Sequence, residues 1–439
     1  MHTLSRLYES LLKEMHDAAG DSGEFYTPRA AVRFMVEVIN PRLGETVLDP
    51  ACGTAGFLVE AYQHLEKQCR KAEHRRTLQQ SSILGGEAKP LPFMLAQMNL
   101  LLHGLEAPQI NPGNSLAEKK LTDITDKDRV DIILTNPPFG GEEERGVLNN
   151  FPADKQTAET ALLFMQLIMR KLRRPQKSGR AAVVVPDGFL FGEGVAARVK
   201  EELLTGFNLH TIVRLPRGVF APYTGIQSNL LFFDRSSPTG ELWFYELPLP
   251  AGRKNYSKTA PLQYEEFGDC LAWWKDRAEN DRAWRIDFAA KHKQARAEAE
   301  PHWEAAQTAE AKAKELARGI REVNDELQRL KKYGASAREI EKLEAKRERL
   351  QSAETTERES AKREQAAGDA IYWPIFNLNI KNPAAKDDFE HLPPEQLADD
   401  ILRKEQRITE LMAEIKQALA TNASETEEAP ETSSRSSAA

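Results

Sequence analysis

"VLDPACGTAGFLVEA", residues 47–61, is the stretch on which the fold turns. An apolar run ends at Asp49, the chain turns through Gly53 and Gly56, and a helix-like pattern begins at once. Strand, tight turn and helix in that order open a βα unit. Glycines in such a turn let backbone approach a ligand at the carboxyl end of the strand, where open α/β sheets bind cofactors. The spacing is not GxGxxG and no Lys-Ser/Thr follows, which weakens dinucleotide and triphosphate readings. Taken alone, the turn also has a purely structural reading.

Working outward, short apolar runs alternate with helix-like patterns up to about residue 247, the sign of a largely parallel sheet with crossover helices. Strand candidates lie at 46–51, 83–87, 109–111, 130–136, 180–186, 210–216 and 228–234, with "ELWFYEL" (241–247) as a further edge strand. The expected class is α/β, a Rossmann-like seven-stranded mixed sheet with helices on both faces. Only "RGVFAPYTGIQ" joins the last two of the seven, too short for a helical crossover, so that end of the sheet is expected to be antiparallel. One long helix is expected from "AGFLVEAYQHLEKQCRKA".

The chain of 439 residues is too long for one ordinary domain, and 41% hydrophobic residues allow a sizeable core. No run of 18 apolar residues occurs and the start lacks a signal-peptide layout, which points to a cytoplasmic protein without a membrane span. Cys52, Cys69 and Cys270 are scattered and form no CxxC pair, so neither a disulfide frame nor a metal site is supported. A formal charge of −7 argues against a chain that grips nucleic acid over its whole surface. DNA contact then falls to a local basic patch or a partner.

Beyond about 285 the composition changes. Apolar residues fall at Ile320, Val323, Leu327 and Leu330, and again at Ile340, Leu343 and Leu350, a coiled-coil stripe. Between the two sets, Gly334 suits a helix end, and Ser336 with Glu339 has capping-box spacing for the next helix. The expected organisation is an N-terminal helix (1–22), a catalytic domain (23–250), a connecting segment (251–308), a helical hairpin (309–365), a docking segment with a last helix from about 394 (366–420), and a disordered tail (421–439).

Two further strand ends carry chemistry. Glu87 closes the second strand as a carboxylate able to accept both hydroxyls of a ribose; a solvated strand-end acid is the plain alternative. "VDIILTNPPFGG" (130–141) drives the fourth strand, expected beside the first, into Asn136-Pro137-Pro138-Phe139. Two prolines remove two N–H donors and stiffen the backbone, leaving the Asn136 amide oxygen and the Pro137 carbonyl as aligned acceptors for one amino group. Phe139 reads as an exposed ring that stacks on the group bearing that nitrogen. A rigid turn is again the bland alternative. Cys52 reads as a small packed residue, because no proline–cysteine pair suited to attack on cytosine is present.

"DPACGTAGF" and "NPPF", preceded by "GEFYTPR" (23–29), resemble the DNA amino-methyltransferases that make N6-methyladenine from S-adenosylmethionine. "VVVPDGFLFGEG", "RLPRGVF" and "NLNIKNP" extend the likeness to the modification subunits of type I restriction-modification systems. The resemblance implies a methyltransferase domain in which Glu24, Phe25, Tyr26, Thr27, Pro28 and Arg29 cover the methionine part of the cofactor. Asp49, Gly53, Thr54, Ala55, Gly56 and Glu87 hold the rest of it, and Asn136, Pro137, Pro138 and Phe139 form the catalytic tetrapeptide. Phe220 and Tyr223 stand where the family often places a second aromatic against the flipped base, although core packing explains them equally.

The resemblance further implies double-stranded DNA as substrate, a separate specificity subunit that chooses the site, two modification subunits per complex and a restriction subunit as a further partner. The helical hairpin and last helix are the expected docking elements, with packing of the hairpin on its own domain as the alternative. The family usually carries a helical domain of roughly one hundred residues ahead of this region. Residues 1–22 are expected to be its remnant. Transfer to RNA or to protein glutamine, and an inactive binding subunit of the same fold, are the rival functions.

Overall fold

Four short parallel strands place the glycine turn, Glu87 and Asn136 on one rim. They are β1 (Val47–Asp49), β2 (Ile83–Glu87), β3 (Gln109–Pro112) and β4 (Ile132–Thr135). The computed structural model describes residues 27–174, 179–221, 223–334, 336–384 and 402–413. The sheet continues through β5 (Arg180–Pro186), β6 (Asn208–Arg214), β7 (Ser228–Asp234), β8 (Glu241–Glu246) and β9 (Ala283–Asp287), in the order β3-β2-β1-β4-β5-β7-β6-β8-β9. As expected, β4 lies beside β1 and β6 pairs antiparallel with β7; β7 is inserted between β5 and β6, antiparallel to both.

The count of strands differs from the seven expected, since nine are present among the described residues. β8 is not an edge: it pairs in parallel with β6 on one side and antiparallel with β9 on the other. β9, "AWRID", lies inside the segment expected to be a plain connection. Its exposed Arg285 and Asp287 disguise it, because only one side of this final strand is sealed.

Successive residues of the strands alternate between two apolar layers, so both faces must be covered. On one face Val47, Ile132 and Phe232 meet α1 (Arg29–Ile39), α2 (Gly56–Glu66) and α4 (Pro90–Leu102). The helix expected over 55–72 is in fact two, α2 and α3 (Ala72–Ser81): none of residues 67–73 is fully buried, and α3 buries Leu78 alone. On the other face Leu48, Ile133 and Phe233 meet α5 (Thr160–Lys171), α6 (Val195–Gly206) and the root of a long hairpin. No helix of eight or more residues links β3 to β4. Two 3₁₀ turns and a small cluster of Leu116, Leu121, Ile124 and Phe151 against α5 fill that place.

The hairpin is longer than expected. Its arms are α7 (Phe288–Lys332) and α8 (Ala337–Tyr372), not 309–365. The early part of α7 packs through Ala295, Ala299, Ala306, Ala309 and Ala313, a small-residue seam that a search for large apolar residues overlooks. Val323 and Leu327 are buried within the hairpin, so the stripe is covered by its own second arm. Gly334 has φ +73° and the Ser336–Glu339 capping box is formed, as the sequence indicated. After α8 the chain returns to the sheet. Phe376 and Leu378 are buried, and Asn382 Nδ2 donates to Glu246 Oε2 at 3.1 Å.

Residues 385–439 form a separate unit, in which 402–413 is helical and Leu402, Ile408 and Met412 are exposed. The expected N-terminal helix, the rest of the last helix and the tail lie outside the described residues. Among the described residues no helix is long and apolar enough to cross a membrane.

Candidate active site

At the end of β1 the Asp49 carboxylate turns back to accept the Ala51 N–H at 3.1 Å, and the chain tightens through Gly53 at φ +53°. Ala55 is left-handed too, at φ 65°, and starts α2. A non-glycine residue in that region is strained, and it sits fully buried where the surrounding core holds it. Two neighbours brace the turn. Cys52 N–H donates to the Gly86 carbonyl on β2 at 2.9 Å, and Asn99 Nδ2 on α4 donates to the Thr54 carbonyl at 2.7 Å.

Glu87 ends β2 facing this turn. One carboxylate oxygen accepts the Gly53 N–H at 2.9 Å and the other the Lys89 N–H at 2.8 Å. It is therefore a built part of the turn rather than a solvated acid. Burial pushes the Asp49 carboxyl up to about 7, and the nearby Glu87 carboxylate adds to the rise against the lowering effect of hydrogen bonds such as that from Ala51. Burial also drives the Cys52 thiol well up, with the carboxylates of Asp49 and Glu87 adding to it. Such a thiol stays protonated, in line with its reading as a packed residue.

Asn136 follows β4. Its Nδ2 donates to Thr27 Oγ1 at 2.9 Å, while its Oδ1 is buried without a hydrogen-bond partner. Thr27, Asp49, Gly53, Thr54, Gly56, Glu87, Asn136 and Pro138 all line one cavity of about 460 Å³ at the carboxyl ends of the parallel strands. Pro28, Arg29, Ala55, Pro137 and Phe139 are not on its wall. Glu24, Phe25 and Tyr26 lie outside the described residues.

The expected exposure of Phe139 is corrected. The ring is half-buried against the first core layer, 6.0 Å from Phe220 at an interplanar angle of 71°. Phe220 itself is buried in that core, which is the plainer of the two readings it had. Tyr223 is half-buried in the turn after it.

The cavity also gathers residues that were not singled out: Lys89, Pro92, Asn114, Ser115, Glu143 and Phe164. Asn114 Nδ2 donates to Glu143 Oε2 at 2.9 Å, tying the loop after the tetrapeptide to the end of β3, and Ser115 Oγ donates to the Pro50 carbonyl at 2.7 Å. "NPGNS" after a strand is the signal that marks them, because a third strand end shares this rim.

A model of the N-6 DNA methylase family matches residues 1–317. The methylase subunit of the type I restriction enzyme EcoEI from Escherichia coli is 52% identical over 294 residues, which is 65% of this chain and 58% of that one. A crystal structure of a modification subunit assigned to a type I restriction enzyme of Vibrio vulnificus is 66% identical with a TM-score of 0.64, over 66% of this chain and 60% of the other. A chain from a study of complex assembly and conformational transition in a type I R-M system is 33% identical with a TM-score of 0.65, over 95% of this chain and 71% of that one. The chain spans 58% of the length of the EcoEI methylase subunit and 51% of the EcoKI one, both from Escherichia coli. Matched by that family model over more than half of its length, the chain belongs to the N-6 DNA methylase family.

Proposed function

We propose that this chain transfers a methyl group from S-adenosylmethionine to N6 of adenine in double-stranded DNA, as the modification subunit of a type I restriction-modification complex. The observation that carries the proposal is Asn136 Oδ1, a buried acceptor without a partner on a residue of the cavity wall. Leaving such an acceptor unpaired costs about 1–3 kcal/mol, and an amino N–H relieves it. The cavity suits the cofactor: its volume falls in the range of small-molecule sites, and there is open space around Gly53 and Gly56. Bound there, S-adenosylmethionine supplies a methyl group on a sulfonium, open to displacement by a nitrogen lone pair.

The residues of the chain bind and aim. Glu87, facing the glycine turn from the end of β2, accepts ribose hydroxyls. Asp49, Thr54, Ala55 and Gly56 shape the turn, and the segment Glu24, Phe25, Tyr26, Thr27, Pro28 and Arg29 closes over the methionine end. Asn136 Oδ1 and the Pro137 carbonyl accept the two N6 hydrogens, which turns the nitrogen lone pair outward. This is a positioning effect. Adenine must leave the duplex to reach them, and Phe139, its plane set by Phe220 and its backbone stiffened by Pro138, replaces lost stacking at about 1–3 kcal/mol.

Target choice belongs to a specificity subunit, with two modification subunits beside it and a restriction subunit in the larger complex. A net charge of −7 leaves DNA contact to a local basic patch or to such a partner. The test is tritiated-methyl transfer to DNA with and without the specificity partner, alongside Asn136→Ala. Label is expected on adenine with the partner and none in the variant; label on RNA or protein, or an equally active variant, overturns the proposal.

A further inference from the structure

We infer that Thr27 is a positioning residue for the Asn136 amide, distinct from the cofactor contact its place in "GEFYTPR" implies; the inference rests on the function proposed above. The two side chains come from segments 109 residues apart and meet at 2.9 Å, with Asn136 Nδ2 donating to Thr27 Oγ1. The torsion at the end of an asparagine side chain is broad and nearly two-fold, so an unheld amide turns over easily. Turned over, it presents N–H groups to an amino group and repels it. Thr27 takes up the N–H end and thereby points the oxygen to the place where an acceptor is needed, which accounts for the oxygen being the end without a partner.

The hydroxyl is well fixed. Thr27 is β-branched and precedes a proline, which limits both its side chain and its backbone. The Pro28 carbonyl accepts the N–H groups of Ala31 and Val32 at 2.9 and 3.1 Å, locking the segment onto the first turn of α1. That helix is held along its length: Phe34 stacks on Phe267 at 4.2 Å, and Arg180 Nε donates to the Ile39 carbonyl at 2.9 Å. Because Arg180 opens β5, two strands away from β1, the amide is oriented by the body of the fold rather than by its own loop.

The experiment compares the full chain with its Thr27→Val and Thr27→Ser variants, each with the specificity partner, for methyl transfer to unmethylated bacterial DNA and for binding of S-adenosylhomocysteine. Thr27→Val keeps the shape and removes the acceptor. The expected result is a fall in kcat of about 3- to 10-fold, the loss of one hydrogen bond. Cofactor KM and S-adenosylhomocysteine affinity change less than kcat does, and Thr27→Ser recovers most of the rate. Weakened cofactor affinity at unchanged kcat, or Thr27→Ser no better than Thr27→Val, overturns the inference. If none of the proteins transfers a methyl group, the proposed function fails, and the pairing is read instead from the Asn136 side-chain amide in ¹⁵N spectra, assigned through Asn136→Ala. The two side-chain N–H signals, distinct in any asparagine because rotation about the amide C–N bond is slow, are expected to exchange slowly with solvent in wild type and Thr27→Ser and faster in Thr27→Val. An unchanged exchange rate in Thr27→Val overturns it.

Discussion

Asp49 gives the site a pH dependence whose sign can be worked out. Its folded pKa, about 7, lies above the ordinary aspartate value of about 3.9, so the native state holds the proton more tightly than the unfolded chain. The stability this contributes is fully present below about pH 4 and is lost as pH rises through about 7. Thermal melting from pH 5 to 8 is therefore expected to fall more steeply in wild type than in Asp49→Asn; equal slopes would count against it. Glu87→Gln makes a second test. A glutamine offers one oxygen where two backbone N–H groups need acceptors, so the turn is expected to lose about 1–3 kcal/mol in urea unfolding and the cofactor to bind more weakly. Glu87 was legible as a strand-end acid, with a solvated acid as the alternative, and Asp49 through its place in the motif that carries the family resemblance. Asn99 was not, since a lone asparagine in an apolar helix carries no mark of the Thr54 carbonyl it serves.

At the scale of elements, the strands on the cofactor rim were legible because each ends at a polar or glycine break, whereas β9 and the full hairpin were not. Alternation fails as a guide in a short edge strand, and an alanine seam has too little hydrophobic contrast to register as a stripe. The seam makes a prediction at the hairpin root. Gly368 has no room for a side chain: a Cβ there would lie 2.6 Å from Trp303 Nε1 and 3.2 Å from the Ala299 carbonyl. Gly368→Val is expected to cost about 1–3 kcal/mol by overpacking and to speed amide exchange around Ala299 in α7. Ser336→Ala at the tip removes the capping box and is expected to cost about 1 kcal/mol, read as faster exchange in the first turn of α8 alone.

For the whole molecule, the hairpin reaches far from the chemistry: α7 has 45 residues and at about 1.5 Å each extends some 67 Å. Removing its outer part, 316–353, is expected to leave cofactor affinity unchanged, as calorimetry would show, while co-purification with the specificity subunit is lost if that subunit docks there. A cut that also takes 373–384 is a different experiment, because Phe376 and Leu378 then leave the core, at about 1.5–3 kcal/mol each. Only deletions that spare this returning segment separate docking from folding.

The pairing of β8 with β9 bears on where the catalytic domain can be divided. A fragment stopping at residue 250, where the composition alone would place the boundary, keeps β8 and loses the strand that seals it. The open N–H and C=O groups of β8 would then run beside Trp243, Phe244 and Tyr245, a bare aromatic ribbon of the kind that templates intermolecular strand addition. Solubility of a fragment ending at 250 is thus set by the loss of Ala283–Asp287 together with that of the returning segment that carries Phe376 and Leu378.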